Sequence, residues 1–379
     1  MKKIRVYIQY PWKTSDSPYY KALVENPPKN VEYLKSEHKL NLIISPKFGL
    51  FTAVKKLVRH LFAIRRMPNI RTQEKVNCDL YHSAHCLLEG DKPWIVDIEN
   101  YWNFAPSYFI AHSKKGKSLI SSYLKSKNCK KIVAWTEEAK KTVVGALKDN
   151  EIENKIEVVY PAIPLPKFNK IKKDKITLLF LGRYFYSKGG WHTLKIFDAI
   201  TKKFDNVECI FISQTPKKFI KKYSNNKKIK FYELMDKKKI FEEIYPQADI
   251  FVYPGFSDTF GFAMIEAMGF GLPVLSVNRF AREEIITNEK TGFIIKIPQI
   301  TYGTAFPNIQ DGVPIVPNEE AMIDEFIKRI SDLIEDKKKL EKMSKNCISE
   351  VKSGKFSLER MNKSYEKIYS QALNKNEKN

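Results

Sequence analysis

Long apolar runs are missing from this 379-residue chain: none approaches the roughly 18 residues of a membrane-spanning helix, which argues against an integral membrane protein. The opening residues, MKKIRVYIQYPWK, carry two lysines but no long apolar stretch, so they read as a first β-strand and not as a signal peptide. Cysteine is sparse. Cys78, Cys86, Cys129, Cys209 and Cys347 are scattered, odd in number and never in a Cys-x-x-Cys pair. Neither a disulfide framework nor a structural zinc site is expected from them, and a reducing cytoplasm is. Negative charge is in deficit, with 43 acidic against 66 basic residues and a net charge of +23. Such a surplus implies an anionic partner: nucleic acid, a lipid headgroup surface or a phosphorylated small molecule. Arginine is scarce as well, which disfavours nucleic acid, because base readout and bidentate phosphate grips use arginine. No nucleic-acid-binding motif occurs, and no nucleic-acid partner is expected. The lysine excess equally fits a compositional bias of the source.

What is present suits a globular protein. Hydrophobic residues make up 43% and aromatics 13% of the chain, enough to bury real cores, and the length fits two domains. Short apolar runs alternate with helical patterns. Strands are expected at Ile4 to Tyr10, Leu40 to Ile44, Trp94 to Glu99, Ile132 to Thr136 and Ile156 to Tyr160. A second series follows at 176–182, 207–213, 229–234, 249–254, 272–277 and 291–295. Continuous apolar strands separated by helices indicate parallel sheets with crossover helices, hence an α/β chain of two doubly wound domains. Pro161, Pro164 and Pro166, followed by a lysine-rich tract, mark the linker between them. The expected division is 1–165, 166–355 and a last helix within 356–379 that crosses back to the first domain and ends in a frayed tail.

Two segments of the second half carry chemistry. Strand ITLLFLG ends at Gly182 and leads through Arg183 and Lys188 into Gly189-Gly190 and a helix. Ligands of open parallel sheets sit at the carboxyl ends of strands, so the two cations suit a phosphate there. A solvated basic turn is the plain alternative. The second segment is ADIFVYPGFSDTFGFAMIEAMGFGLPVLSV. Its strand ends at Pro254, its loop carries Asp258, and a helix opening near Phe260-Gly261 carries Glu266. Two carboxylates spaced along one ligand suit hydroxyls, as on the ribose and hexose of a nucleotide sugar. The alternative makes Asp258 a helix cap and Glu266 a paired surface residue.

Together these segments resemble glycosyltransferase family 4, the retaining nucleotide-sugar transferases of the GT-B fold. That family has a strand, Gly-Arg, Lys-Gly and a helix, then two glutamates in a Phe-Gly…Glu-Ala-Met…Gly-x-Pro-Val frame. Glu284 and Thr291-Gly292-Phe293 follow here at family-like distances. The resemblance implies two Rossmann-like domains facing each other across a cleft, with the acceptor on the first and the donor on the second. It implies Arg183, Lys188 and Asp258 as the catalytic set. Gly182, Leu234, Phe260, Gly261, Phe262 and Glu266 would complete donor binding, with the ribose on Glu266 and the nucleobase near Phe231 to Leu234. It also implies that the departing phosphate takes the acceptor proton. The lipid-linked or glycan-precursor acceptor would meet Lys13, Asp97, Glu99 and Asn100. Three departures stand out: Asp258 where Glu is usual, Asp97-Ile-Glu99-Asn100 where many members have a histidine, and no glycine-rich loop after the first strand.

No Asp-x-Asp occurs, so a metal–diphosphate clamp is not expected, and no cofactor is called for. His82, His85 and His112 read as cleft-lining or structural histidines. Alternatives are another GT-B activity, as a phosphorylase or sugar-nucleotide epimerase, or a non-enzymatic polyanion-binding protein. Between Glu37 and Glu74 there are eight basic residues and no acidic one. Within that stretch residues 50–66 read as an amphipathic helix, with Val54, Leu57, Val58, Leu61 and Phe62 on one face. That face either packs on its own sheet or rests on an anionic membrane, which would place a cytoplasmic enzyme at the inner membrane surface.

Overall fold

The computed structural model describes residues 3–10, 17–34, 67–171, 173–298 and 316–373. The expected strand at Leu40 to Ile44, the basic helix at 50–66 and Lys13 lie outside the described residues. The chain divides into unit 1, residues 1–163 with 355–379, and unit 2, residues 164–354.

Unit 1 is built on a six-stranded sheet of β1 (Ile4–Gln9), β2 (Val31–Leu34), β4 (Leu80–Ala84), β6 (Trp94–Ile98), β7 (Cys129–Ala134) and β8 (Ile156–Val158). The order is β2-β1-β4-β6-β7-β8, and every pairing is parallel. A short parallel pair stands apart, formed by β3 (Ile70–Thr72) and β5 (Leu87–Glu89). The strands β2 to β5 were not among those expected. In β4 the reason is clear: His82 and Ser83 interrupt the apolar run, yet both are fully buried. Helices Lys114–Lys125 and Glu137–Leu147 start on the hydroxyls of Ser113 and Thr136, which accept from the third amide of each helix. The last helix, Leu358–Ala372, belongs to unit 1. Its Met361, Tyr365, Ile368 and Tyr369 are buried.

Unit 2 repeats the plan with β9 (Ile176–Gly182), β10 (Val207–Ser213), β11 (Ile229–Tyr232), β12 (Ile250–Tyr253), β13 (Val274–Val277) and β14 (Gly292–Ile295). The order is β11-β10-β9-β12-β13-β14, again all parallel. These six strands match the second expected series. Apolar residues dominate them because crossover helices cover the faces of the sheet, while the edge strand β11 exposes Lys230 and Tyr232. Strand order reverses between β9 and β12, and between β1 and β4 in unit 1. A crevice opens at the carboxyl ends of the strands where order reverses, and ligands of such sheets bind there. Among the described residues no helix is long and apolar enough to cross a membrane.

Candidate active site

The site of unit 2 lies at the β9/β12 reversal. Gly182 ends β9, and a Cβ placed on it would stand 2.9 Å from Lys188 Cβ, so only glycine lets the turn fold back this tightly. Gly189 has φ of 77° and begins the helix Gly190–Lys203. A Cβ there would lie 2.8 Å from Pro254 Cγ. These two close approaches press the 183–189 turn against the end of β12. Lys188 Nζ thereby reaches Asp258 Oδ1 at 3.1 Å, and the Tyr253 hydroxyl donates to Asp258 Oδ2 at 2.7 Å. Burial alone would raise the Asp258 carboxyl. Lys188, the fully buried Arg282 and Tyr253 outweigh it and hold the group below the usual carboxylate range. Asp258 is therefore an anion at neutral pH, suited to accept from hydroxyls and unsuited to donate a proton. Arg183 is exposed at the same sheet edge, and among the described residues it makes no ion pair.

The helix Phe262–Gly269 opens on Gly261, whose φ is 86°. The capping position is thus taken by glycine, and Asp258 does not cap the helix. Phe260 is buried, its ring 4.9 Å from that of Phe262. One turn into the helix, Glu266 is buried, with Oε1 2.6 Å from Lys237 Nζ and Oε2 accepting from the Tyr245 hydroxyl at 3.2 Å. A carboxylate offers about four lone-pair sites, so Glu266 keeps room for two ligand hydroxyls. Leu234 stands exposed beyond β11. Arg183, Lys188, Asp258 and the start of the Glu266 helix thus gather at one edge of unit 2. Lys237, Tyr245, Tyr253 and Arg282 went unnoticed in the sequence. Lys237 belongs to a run that reads as solvated, and the aromatic partners carry no motif.

In unit 1 the candidate residues part company. Asp97 is fully buried, with Oδ1 accepting from the Tyr20 hydroxyl at 2.6 Å and Oδ2 3.2 Å from His82 Nε2. Burial by itself would raise its carboxyl, but His82, His85 and Tyr20 hold it below the usual range. Asn100 is buried and caps the short helix Tyr101–Phe104, its amide donating to Asn103 Oδ1 at 3.0 Å. Glu99 keeps 27% of its side chain exposed and lies 3.7 Å from His85 Nε2. His82 is sealed beneath the last helix, with Nδ1 2.8 Å from the Tyr369 hydroxyl. His112 stacks on Tyr108 at 3.9 Å, as a structural histidine does. Among the described residues no three His, Cys, Asp or Glu side chains are grouped to hold a metal ion.

Residues 164–301 match the family model "Glycosyl transferases group 1". An "Uncharacterized 41.2 kDa protein in cps region" of Klebsiella pneumoniae is 26% identical over 203 residues, 49% of this chain and 54% of that protein. The "Capsular polysaccharide biosynthesis glycosyltransferase CapM" of Staphylococcus aureus is 25% identical over 42% of this chain and 43% of its own. The chain spans about half the length of the curated relatives it matches. Among solved structures, Anabaena Alr3699/HepE in complex with UDP and glucose superposes with a TM-score of 0.58 at 13% identity, over 97% of this chain and 99% of that one. The chain therefore has the GT-B fold and carries a glycosyl transferases group 1 domain at residues 164–301.

Proposed function

We propose that the protein is a retaining, family 4-type hexosyltransferase that moves a hexose from a nucleoside-diphosphate sugar to a hydroxyl acceptor. The observation that carries this reading is the Lys188–Asp258 pair at the β9/β12 reversal, with Glu266 one helical turn away. Lys188 and Arg183 would neutralise charge growing on the departing diphosphate, without a metal ion. The amides opening the Glu266 helix, next to Phe260 and Gly261, would add to the phosphate site. Asp258 would accept from hydroxyls of the sugar and Glu266 from those of the ribose, with the base near Leu234. The printed names of CapM and of the HepE complex support a glycan-building role and a nucleotide-sugar donor. We assign the acceptor, a lipid-linked sugar or surface glycan precursor, to unit 1, and the donor to unit 2. A panel of nucleotide sugars tested by thermal stabilisation examines the reading: the donor raises the melting temperature and unrelated anions do not. Equal stabilisation by every polyanion would favour plain charge binding.

Ribose hydroxyls do not change charge during transfer, so Glu266→Ala is expected to act on binding. KM for the donor should rise about tenfold while kcat changes less than about threefold, as steady-state kinetics can show. A fall confined to kcat would contradict the ribose assignment.

The cytoplasmic, membrane-surface location remains part of the proposal, through the basic segment 50–66. Each lysine or arginine near an anionic surface contributes on the order of 1 kcal/mol, enough for salt-sensitive binding by three or four. Co-sedimentation with phosphatidylglycerol vesicles should therefore fall as salt rises. It should weaken when Lys55, Lys56 and Arg59 are changed to Glu. Indifference to these vesicles at low salt would point to a soluble acceptor.

A further inference from the structure

Asp258 is held on both oxygens: Lys188 Nζ lies 3.1 Å from Oδ1, and the Tyr253 hydroxyl donates to Oδ2 at 2.7 Å. The two holds differ in kind. Lys188 sits on a flexible four-carbon stem and is also the cation assigned to the diphosphate, so a bound donor competes with Asp258 for it. Tyr253 cannot follow. It ends β12 with 2% of its surface exposed, its ring stacked near those of Phe180 and Phe251 at 6.3 and 5.5 Å. Ser276 Oγ on β13 donates to its carbonyl at 2.6 Å. Burial, and after it the charge of Asp258, push the Tyr253 hydroxyl well above its ordinary range, so it stays a donor.

Arg282 stands behind this pair, in the short helix Arg282–Ile285 after β13. It is fully buried; Nη1 donates to the Arg279 carbonyl at 3.2 Å, and the guanidinium carbon lies 6.0 Å from the centre of the Tyr253 ring. A buried guanidinium is costly unless negative charge answers it, and an apolar side chain of similar volume fills the space at less cost. Asp258 feels this charge.

We propose that Tyr253 and Arg282 are positioning residues: they keep Asp258 in place as a hydroxyl acceptor while Lys188 is drawn to the diphosphate of the donor. The proposal rests on the transferase reading. A carboxylate beside a diphosphate stands next to like charge, which favours its protonation, and a protonated carboxyl turns one oxygen into a donor. Lys188 engaged on the diphosphate does less to prevent this. Arg282 supplies a charge that does not titrate, and Tyr253 fixes the orientation of the carboxylate. The groups that act on Asp258 are thus Lys188 from the 183–189 turn, Arg282 from the helix after β13 and Tyr253 from β12.

The test has two arms and uses Tyr253→Phe, Arg282→Met and Arg282→Lys. In ¹³C-carboxyl spectra of aspartate-labelled protein without donor, the signal lost in Asp258→Asn reports Asp258. Its titration midpoint should lie about one pH unit higher in Tyr253→Phe and in Arg282→Met, because the anion loses a donor or a counter-charge. Arg282→Lys keeps the charge and should stay near the wild type, whereas a role in packing alone would make the two Arg282 variants alike. With a panel of UDP-, GDP- and dTDP-sugars as donors and water as acceptor, Tyr253→Phe should lower kcat/KM about tenfold, the order of one hydrogen bond to a charged group. The acid limb of its kcat/KM profile should move up in pH together with the Asp258 midpoint. An unmoved midpoint in Tyr253→Phe, or equal midpoints in Arg282→Met and Arg282→Lys, overturns the proposal; if Arg282→Met does not fold, Tyr253→Phe decides. A wild-type kcat/KM profile in Tyr253→Phe overturns it as well. Each of these results leaves the transferase reading standing. A wild type inactive toward the whole panel fails that reading, and this proposal with it.

Discussion

Lys188→Ala is expected to lower turnover by about 10²-fold or more, the order of effect when one group that stabilises developing charge is removed. Arg183→Ala should do the same. The two cations act differently in the resting protein. Lys188 is already paired with Asp258 at 3.1 Å, whereas Arg183 is exposed at the sheet edge. Losing Lys188 therefore has a second consequence, since Asp258 loses the charge that does most to hold it ionised. In Lys188→Ala the Asp258 carboxyl should protonate at a higher pH than in the wild type, so residual activity should fall off earlier as pH drops. Arg183→Ala should leave the pH profile in place and lower its height. Steady-state rates of the two variants between pH 4 and 8 separate these outcomes. Wild-type turnover in Lys188→Ala would remove the diphosphate role from this lysine.

Ending the chain at Gly354 is expected to unfold unit 1. The helix Leu358–Ala372 buries Met361, Tyr365, Ile368 and Tyr369 against it. Its hydroxyls are part of the interior: Tyr365 bonds Tyr19, and Tyr369 bonds His82 and Tyr33. Asn362 also donates to the Asn26 carbonyl at 2.9 Å. Deleting one large buried aromatic costs about 3–5 kcal/mol, and whole domains are stable by only about 5–15 kcal/mol. Loss of four buried side chains thus exceeds what unit 1 can bear. Unit 2 keeps its own sheet and core, so the truncated protein should show a reduced but cooperative urea transition by circular dichroism. Tyr365→Ala, a milder change, should fold with a lower unfolding midpoint. A truncated chain with wild-type spectra and midpoint would show that the helix is dispensable.

Unit 2 was legible in the sequence because most of its strands are buried on both faces and read as mainly apolar runs, the edge strand β11 being half exposed. Its site was legible for a related reason. Gly182, Arg183 and Lys188 follow one strand, Asp258 and Glu266 follow another, and each group is contiguous in sequence. The partners that tune them were not legible. Lys237 meets Glu266 across 29 positions, and Arg282 approaches Asp258 from the short helix Arg282–Ile285 that follows β13. Only the sheet brings such loops together. Unit 1 was harder to read because its core mixes polar groups into strands. His82 and Ser83 look like loop residues until Asp97 and Tyr369 are seen to satisfy the histidine. Asp97 itself looked like an acceptor contact, yet the fold uses it as an internal anchor for Tyr20 and two histidines.

The central claim is that the β9/β12 edge of unit 2 binds a nucleoside-diphosphate sugar and stabilises the diphosphate as it leaves. Release of nucleoside diphosphate from a panel of nucleotide sugars, measured in EDTA with wild type and Lys188→Ala side by side, tests it most directly. The account predicts that wild type releases diphosphate from one donor without added metal, and that Lys188→Ala is slower by about 10²-fold. Release that requires a divalent ion, or that is equal in both proteins, would contradict it.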